Sequence, residues 1–313
     1  MDVSSELIHS LLPVFMVSSL GASALVVGLV EGVAEATALI VKVFSGTLSD
    51  YLGKRKALAV FGYGLGAVSK PIFALAFSVQ WVLAARFMDR VGKGIRGAPR
   101  DALVADLTAP EIRGAAYGLR QSLDTVGAFL GPLLGVGLML LWAGDFRTVF
   151  WFAVIPAIIA VMLLIFGVEE PGTGVVRRNL SSPIRWQTLS DLGGVYWWVV
   201  AAGGVFTLAR FSEAFLLLRA QQLGLPDTYA PLVLVIMNIV YALTAYPMGK
   251  LADRMSHKVL LGAGLVVLII SDLVLAQASG LTMVAVGVAL WGLHMGMTQA
   301  CWPRWWLAPR RKI

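Results

Sequence analysis

Acidic side chains recur inside long apolar stretches of this 313-residue sequence. Asp2 and Glu6 lie in the first stretch, and Glu31 and Glu35 lie four residues apart in the second. A charged group at the centre of a membrane helix costs about 2.5 to 3.5 kcal/mol on insertion scales and usually faces a bundle interior or a water-filled cavity. We therefore predict that these carboxyl groups bind and release protons.

Basic side chains form a second pattern. Arg86, Arg90, Lys93 and Arg100 follow one another at intervals of four, three and seven residues. On one helix these intervals place the four side chains within about 80° of arc. The pattern predicts a cationic stripe that faces acidic partners or favours an anionic ligand.

A purely structural role for these charges remains open at this point. Glu35 with Lys42, and Asp89 with Arg86, would then form ion pairs that hold neighbouring helices together. Asp272, in a later apolar stretch, has no evident partner in the sequence.

The elements that position these groups must be membrane-spanning helices. Apolar residues make up 58% of the chain, charged residues 14%, and the mean hydropathy is +0.80, which excludes a soluble domain. A spanning helix needs about 20 mostly apolar residues. Ten stretches meet this requirement, at 2–20, 25–48, 57–79, 81–105, 114–141, 147–168, 192–220, 229–249, 259–277 and 281–300.

The distribution of basic residues between the loops predicts the orientation. Arg147 is the single basic residue on one side of the predicted membrane. The other side holds Lys54, Arg55, Lys56, Arg113, Arg177, Arg178, Arg185, Lys250, Arg254 and Lys258. The positive-inside rule predicts that this side, with the N-terminus and the central loop, lies in the cytoplasm. The protein is therefore expected in the cytoplasmic membrane. The formal charge of +7 then reflects contact with anionic lipid and gives no reason to expect a nucleic-acid partner.

Two features divide the chain into halves. The polar stretch 169–190 contains prolines, glycines and three arginines and is typical of a linker. Leu20-Gly21 matches Leu223-Gly224, and Asp50 matches Asp253, both at an offset of 203 residues. We expect a six-helix bundle over 1–168, a cytoplasmic central loop over 169–190 and an incomplete bundle of about four helices over 191–313. Parallel repeats of this kind are typical of secondary transporters.

The segment 46–56 carries the most specific motif, Gly-Thr-Leu-Ser-Asp-Tyr-Leu-Gly-Lys-Arg-Lys. It resembles the loop signature G-x-L-[AS]-D-x-x-G-[RK]-[RK] of the major facilitator superfamily. The matching residues in the first half are Gly46, Asp50, Gly53, Lys54 and Arg55, and a degenerate copy in the second half contains Gly249, Asp253 and Arg254. The resemblance implies an all-α membrane protein of two pseudo-symmetric helical bundles, in which these segments are gating loops.

A second motif lies in the fifth predicted helix. Gly127, Gly131, Pro132 and Gly135 resemble the G-x-x-x-G-P-x-x-G element of the proton-coupled antiporter branch of that superfamily. Glycines at this spacing also permit plain helix packing, which remains an alternative. Helices 1, 4, 7 and 10 line the transport path in this superfamily. The resemblance therefore places Glu6, Arg86, Arg90, Arg210 and Glu213 towards the substrate and proton path. Glu31 and Glu35 on helix 2 are assigned to the same path because they are charged groups within an apolar span.

A literal G-x-G-x-x-G, at Gly92, Gly94 and Gly97, lies inside an apolar stretch with no preceding strand. It therefore predicts close helix packing and no nucleotide site. Three histidines in separate segments and one cysteine, Cys301, supply neither a metal cluster nor a nucleophilic triad. We expect no cofactor, no metal and no enzymatic activity.

The tail 300–313 differs abruptly from the rest of the chain, since it holds three of the ten tryptophans and the single cysteine. Codons for these residues, read one nucleotide earlier, permit a sequence that resembles 102–111. We therefore expect a frame shift at codon 300 and a chain that represents about ten of twelve helices.

The sequence favours proton-coupled secondary transport of a small molecule by alternating access, with export as the preferred direction. The expected partners are the substrate, protons and the lipid bilayer, and the expected state is a monomer. Two alternatives stay open: uptake of an anionic metabolite, suggested by the basic stripe, and a remnant that does not transport.

Overall fold

The computed structural model describes residues 1–170 and 194–299, and within these ranges all regular structure is helical. The central part of the predicted linker and the tail 300–313 lie outside the described residues. The α-helices, numbered here α1 to α12, are Asp2–Ser18, Ala24–Leu52, Arg55–Ala74, Val79–Asp106, Arg113–Leu141, Phe146–Phe152, Val154–Gly167, Gly194–Leu208, Ala214–Gln222, Leu232–Arg254, His257–Gln277 and Leu281–Gln299.

Length and composition make seven helical stretches of the described chain able to cross a membrane. They are Ala24–Leu52, Arg55–Ala74, Pro110–Leu141, Phe146–Gly167, Asp227–Ala252, Val259–Gln277 and Leu281–Thr298. The helix α1 has 17 residues, and α4 is interrupted by charged side chains along its length. These properties explain why α1 and α4, which contain many of the predicted site residues, are not among the seven stretches.

The ten predicted stretches each contain helix, and two of them are interrupted. The sixth breaks at Ala153 between α6 and α7. Pro156 lacks an N–H, and its ring clashes with the carbonyl of the residue four positions earlier, Phe152, where α6 ends. The seventh breaks over 209–213, between α8 and α9. No proline or glycine lies in 209–213, so tertiary surroundings set that break.

The signature segment differs from the predicted loop. The helix α2 continues to Leu52, so the residues from Gly46 onward are helical and only Gly53 and Lys54 connect α2 to α3. Gly53 has φ of +64°, a left-handed conformation that a side chain would disfavour. Two residues likewise connect α10 to α11. The equal connections support the internal repeat.

A second pair of repeat positions has matching backbone geometry. Gly21 follows α1 with φ of +68°, and Gly224 follows α9 with φ of +92°. Each glycine is followed by a residue whose N–H closes the helix end, Ala22 onto the carbonyl of Met16 at 2.8 Å and Leu225 onto that of Ala220 at 3.0 Å. The two halves of the repeat therefore end these helices in the same way.

The described residues form two compact units. The first contains residue 1, 25–121, 150–170 and 194–212, and the second contains 2–24, 122–149 and 213–299. The predicted division at 168 and 190 stays a prediction.

Glycines allow the helices of the first unit to approach closely. An ideal Cβ on Gly92 would lie 2.6 Å from the Gly62 carbonyl oxygen, and one on Gly94 would lie 2.7 Å from the Cβ of Val41. These distances exclude any side chain at Gly92 or Gly94 without movement of the backbone. The packing role predicted for these glycines is therefore confirmed.

Candidate functional site

Two ion pairs connect α2 to α4 inside the first unit. Nη2 of Arg86 lies 2.7 Å from Oε2 of Glu31, and both side chains are 3% exposed. One turn further along, Nη1 of Arg90 lies 3.1 Å from Oε1 of Glu35, whose side chain is 54% exposed. The acidic stripe of α2 thus faces the basic stripe of α4. The spacing predicts acidic partners for the basic stripe but does not identify α2 as the helix that carries them.

A third ion pair connects α3 to α4. Nζ of Lys70 lies 2.8 Å from Oδ1 of Asp89, and the two side chains are 1% and 4% exposed. The hydroxyl of Ser69 donates to the same carboxylate oxygen at 3.3 Å. The sequence assigned no partner to Lys70, because spacing within one helix does not identify the neighbouring helix.

These ion pairs differ from the two pairs that the sequence suggested for a structural role, Glu35 with Lys42 and Asp89 with Arg86. Asp89 forms its ion pair with Lys70, and Glu35 forms one with Arg90. Lys42 is exposed, and its side chain lies along Gly97, where an ideal Cβ would be 3.6 Å from the lysine Cε. Each buried pair leaves a strong electrostatic penalty if one partner is removed. The pairing itself is compatible with both a structural and a functional role.

The glycines of the fifth helix pack against acidic residues of the first. An ideal Cβ on Gly127 would lie 2.8 Å from the Asp2 Cβ, and one on Gly131 would lie 2.6 Å from the Glu6 Cβ. The third glycine, Gly135, faces Ser10 at 3.5 Å. Both sets repeat every four residues, so one face of α5 fits one face of α1. The antiporter-like motif is thus a packing surface that holds the stem of Glu6.

The fifth helix also contacts the second half of the chain within the second unit. Nδ2 of Asn238, on α10, donates to the carbonyl oxygen of Ala128 at 3.2 Å. Pro132 is buried beside Gly131 and contributes no N–H to its own helix. No charge or motif in the sequence pointed to Asn238, and its amide is recognisable only from the contact.

The interruption between α8 and α9 contains the two remaining predicted path residues. Arg210 and Glu213 are partly buried, and the Glu213 carbonyl accepts a hydrogen bond from the Leu216 N–H at 3.1 Å. Broken helices of transporters commonly bring polar backbone and side-chain groups to mid-membrane. The structure therefore brings Glu31 to Arg86 and Glu35 to Arg90, and places Arg210 and Glu213 at a helix break.

The predicted gating segment forms a small charged cluster. Arg55 pairs with Asp106 at the end of α4 and, at 3.4 Å, with Oδ1 of Asp50. Gly46 lies against Ala98, whose Cβ would be 3.5 Å from a Cβ at that glycine. Lys54 is exposed. The sequence did not identify Asp106 as the second carboxylate of this cluster.

The second-half copy is helical up to its last residue. Gly249, Asp253 and Arg254 belong to α10, and no atom lies within 4 Å of an ideal Cβ on Gly249. The side chains of Asp253 and Arg254 lie outside the described set. Among the described residues, no group of three or more histidine, cysteine, aspartate or glutamate side chains is arranged to hold a metal ion.

Comparison with known proteins identifies the architecture. The sequence profile of the Major Facilitator Superfamily matches residues 2–307. An uncharacterized MFS-type transporter of Methanocaldococcus jannaschii is 31% identical over 274 residues, which cover 85% of this chain and 67% of that protein. The multidrug resistance protein MdtH of Edwardsiella ictaluri is 33% identical over 145 residues, 46% of this chain and 35% of that protein.

Solved structures agree on the fold. A bacterial homolog of the human lysosomal transporter Spinster, in an inward-facing and occupied conformation, superposes with a TM-score of 0.76 at 18% identity, over 96% of this chain and 70% of that one. The nucleoside transporter NupG superposes with a TM-score of 0.70 at 12% identity, over 96% and 78%. The chain spans about two thirds of the length of the archaeal transporter. It is an integral membrane protein and a transporter, not an enzyme, and it belongs to the major facilitator superfamily.

Proposed function

We propose that this protein exports a small molecule across the cytoplasmic membrane by alternating access, driven by protons that move inward. The observation that carries the proposal is the α2–α4 pairing, in which a fully buried carboxylate, Glu31, contacts Arg86 at 2.7 Å. Ionisable groups buried within the membrane commonly form proton relays, which makes Glu31 a candidate proton carrier.

Protonation provides the coupling step. When Glu31 takes up a proton it becomes neutral, and the guanidinium of Arg86 loses its counter-charge. Arg86 cannot release a proton in exchange, so its remaining interactions, among them those with Asp89 and Glu35, must balance more of its charge. The exposed side chain of Glu35, one turn away, provides a route by which a proton reaches the buried pair. Conformations with and without the pair would then differ in stability by several kcal/mol.

Two observations support export. The 145 residues similar to MdtH belong to a protein named for multidrug resistance. The glycine face on α5, which resembles an antiporter element, places Glu6 directly against that helix. We assign Glu6, Glu31, Glu35, Arg86, Arg90, Arg210 and Glu213 to the substrate and proton path.

The gate is proposed to lie at the connection between α2 and α3. Asp50, Arg55 and Asp106 form one ion-paired group there, so movement of α2 relative to α4 must break or reform charge pairs. Their repeat counterparts, Gly249, Asp253 and Arg254, would act at the second connection. We place this side of the protein in the cytoplasm and propose that it functions as a monomer.

The experiment is proton-driven flux in liposomes that contain the full chain. With an imposed pH gradient and ethidium as the transported probe, the wild type should move the dye against its concentration gradient. At least one of Glu6→Gln, Glu31→Gln and Glu35→Gln should lose gradient-driven flux yet retain passive exchange. Glu111→Gln is the control, since Glu111 is exposed in a turn between helices. Full coupling in all three variants would contradict the proposal.

The alternative of anion uptake has less support. It depends on uncompensated positive charge at Arg86 and Arg90, the two α4 residues assigned to the path, and both have carboxylate partners. Uptake would show itself as counterflow of a carboxylate that Arg86→Ala weakens. A chain that does not transport would move neither the dye nor a carboxylate in any variant.

A further inference from the structure

One buried cation of α4 lacks the carboxylate that its neighbours have. Arg96 is 4% exposed and its guanidinium lies over the ring of Tyr63, 4.9 Å from the ring centroid. Its Nη1 has no hydrogen-bond partner among the described residues. A buried N–H of a charged group that stays unsatisfied carries a large desolvation penalty, so this atom marks a place where a ligand would be stabilised.

The charge balance around Arg96 points the same way. Four cations, Lys70, Arg86, Arg90 and Arg96, are at most 5% exposed. Three of them have a carboxylate oxygen within 3.1 Å. The described part of this cluster therefore has one more cation than carboxylate. Arginine remains protonated even when buried, so the excess charge favours binding of an external anion.

A flexible side chain closes the position beside the unsatisfied N–H. An ideal Cβ on Gly66 would lie 2.9 Å from Nη1 of Arg96 and 3.8 Å from Oδ1 of Asp89. The terminal methyl of Met1 lies 2.5 Å from the same point, so an anion can reach Nη1 there only if this methyl moves. A methionine methyl is flexible and apolar, so an incoming oxygen atom can displace it. Asp89 interacts electrostatically with Arg96, but its Oδ1 also accepts from Lys70 and Ser69, so one negative charge is shared between two cations.

We propose that Arg96, supported by the ring of Tyr63, binds an oxyanion between α3 and α4. The chemical class is a carboxylate or a phosphate group, for which the planar guanidinium provides parallel N–H donors. A soluble oxyanion and the headgroup of an anionic lipid share this chemistry. The site does not depend on proton coupling, because none of its contacts involves Glu31 or Glu35.

The test measures thermal unfolding of the full-length purified chain by tryptophan fluorescence. The probes are sodium phosphate and sodium acetate against sodium chloride at equal ionic strength, in neutral detergent. Parallel samples use nanodiscs of phosphatidylcholine with and without phosphatidylglycerol. The variants are Arg96→Gln, Tyr63→Phe, which keeps the ring, and Tyr63→Leu, which removes it. Lys93→Gln is the matched control, because Lys93 is an exposed cation of the same helix.

Phosphate or acetate should raise the unfolding temperature of the wild type, Tyr63→Phe and Lys93→Gln if the ligand is a soluble oxyanion. Phosphatidylglycerol should do so if it is a lipid headgroup. In Arg96→Gln the apparent dissociation constant should rise at least about tenfold, as expected for loss of a charged hydrogen bond. Tyr63→Leu should weaken binding to a lesser degree, and it tests the site if Arg96→Gln does not fold. The assignment would be overturned if no anion raised the unfolding temperature of the wild type more than chloride does. It would also be overturned if Arg96→Gln and Tyr63→Leu showed the same shift as the wild type.

Discussion

Individual charged residues in this protein are defined by their partners on other helices. The stripes of α2 and α4 could be predicted, because Glu31 and Glu35 share the four-residue interval of Arg86 and Arg90. The partner of Lys70 could not be predicted, since the periodicity of α3 orients the side chain but does not select the facing residue. Arg96 lies between Lys93 and Arg100 in the sequence but is not part of the predicted basic stripe. Spacing within α4 does not show which helix its side chain faces.

The buried Lys70–Asp89 pair provides a prediction about stability. Asp89→Asn leaves the ammonium of Lys70 buried without its counter-charge and should lower the free energy of unfolding by about 3 to 5 kcal/mol. The double replacement Lys70→Met with Asp89→Leu should recover most of that loss, because no isolated charge remains. Unfolding in detergent with increasing dodecyl sulfate measures both effects. Equal stability of Asp89→Asn and the exposed control Glu111→Gln would contradict the prediction.

A residue outside the membrane provides a prediction about pH. The carboxylate of Asp145, which precedes α6, accepts hydrogen bonds from the Thr148 hydroxyl at 2.5 Å and from the Arg147 N–H at 3.0 Å. The hydrogen bond from Thr148 is the main reason why the pKa of Asp145 lies below its ordinary value. Since the folded-state pKa is lowered, Asp145 contributes stability that is complete above its unfolded value of about 3.9 and is lost as the pH falls through the folded value.

The replacement Asp145→Asn should therefore reduce the dependence of stability on pH. Between pH 6 and pH 3, the difference in unfolding temperature between the wild type and this variant should shrink as the pH falls. Thermal unfolding in detergent at fixed ionic strength measures that difference. A gap that grows on acidification would show that the sign is wrong.

At the C-terminal ends of two helices, α7 and α11, carbonyl groups accept hydrogen bonds from basic side chains of other helices. Arg219 donates to the carbonyl oxygens of Leu275, Ala276 and Ala278 at 2.9 to 3.2 Å, at the end of α11. Lys56 donates to that of Ile165 at 2.8 Å, near the end of α7. Cations in these positions satisfy unpaired carbonyls and oppose the negative end of the helix dipole.

Helix boundaries show how far local sequence determines an element. Pro156 accounts for the break at Ala153. Its presence alone does not predict a break, because Pro99 and Pro132 lie within the continuous helices α4 and α5. The helical path of α2 through Gly46 to Leu52 is not readable from the sequence, because the glycines and the charged run suggested a loop. Ser45, which donates to the Gly94 carbonyl at 2.8 Å, ties this part of α2 to α4. Tertiary contacts of this kind override the weak local preference.

The contact between α1 and α5 yields a prediction with a control on the same helix. Gly131→Ala introduces a methyl group only 2.6 Å from the Cβ of Glu6, so the two helices must separate. The free energy of unfolding should fall by about 1 to 3 kcal/mol, the usual cost of overpacking. A Cβ at Gly137 meets no described atom within 4 Å apart from its own stretch of helix, so Gly137→Ala should be neutral or slightly stabilising. Equal stabilities of the two variants, measured by dodecyl sulfate unfolding, would contradict close packing at Gly131.

At the scale of the whole molecule, the internal repeat and the apolar composition are the features of the sequence that predict the fold. Gly21 and Gly224, 203 residues apart, both adopt left-handed backbone after a helix, and both α2–α3 and α10–α11 are joined by two residues. Such agreement could be predicted because it depends on backbone requirements that only glycine meets freely. Which helices belong to which compact unit could not be predicted. The helix α1 belongs to the same unit as residues 213–299, and no motif in the sequence indicates this grouping.

Membrane orientation is the prediction that tests the whole arrangement. In a Cys301→Ser background, Lys54→Cys and Ala143→Cys introduce single cysteines at exposed positions in short connections at opposite ends of helices. The ten-to-one excess of basic residues on the side of Lys54 predicts that this side is cytoplasmic. A membrane-impermeant maleimide added to intact cells should therefore label Ala143→Cys and spare Lys54→Cys, whereas inside-out vesicles should give the reverse. Labelling of Lys54→Cys in intact cells would invert the topology and, with it, the direction in which the proposed proton path opens.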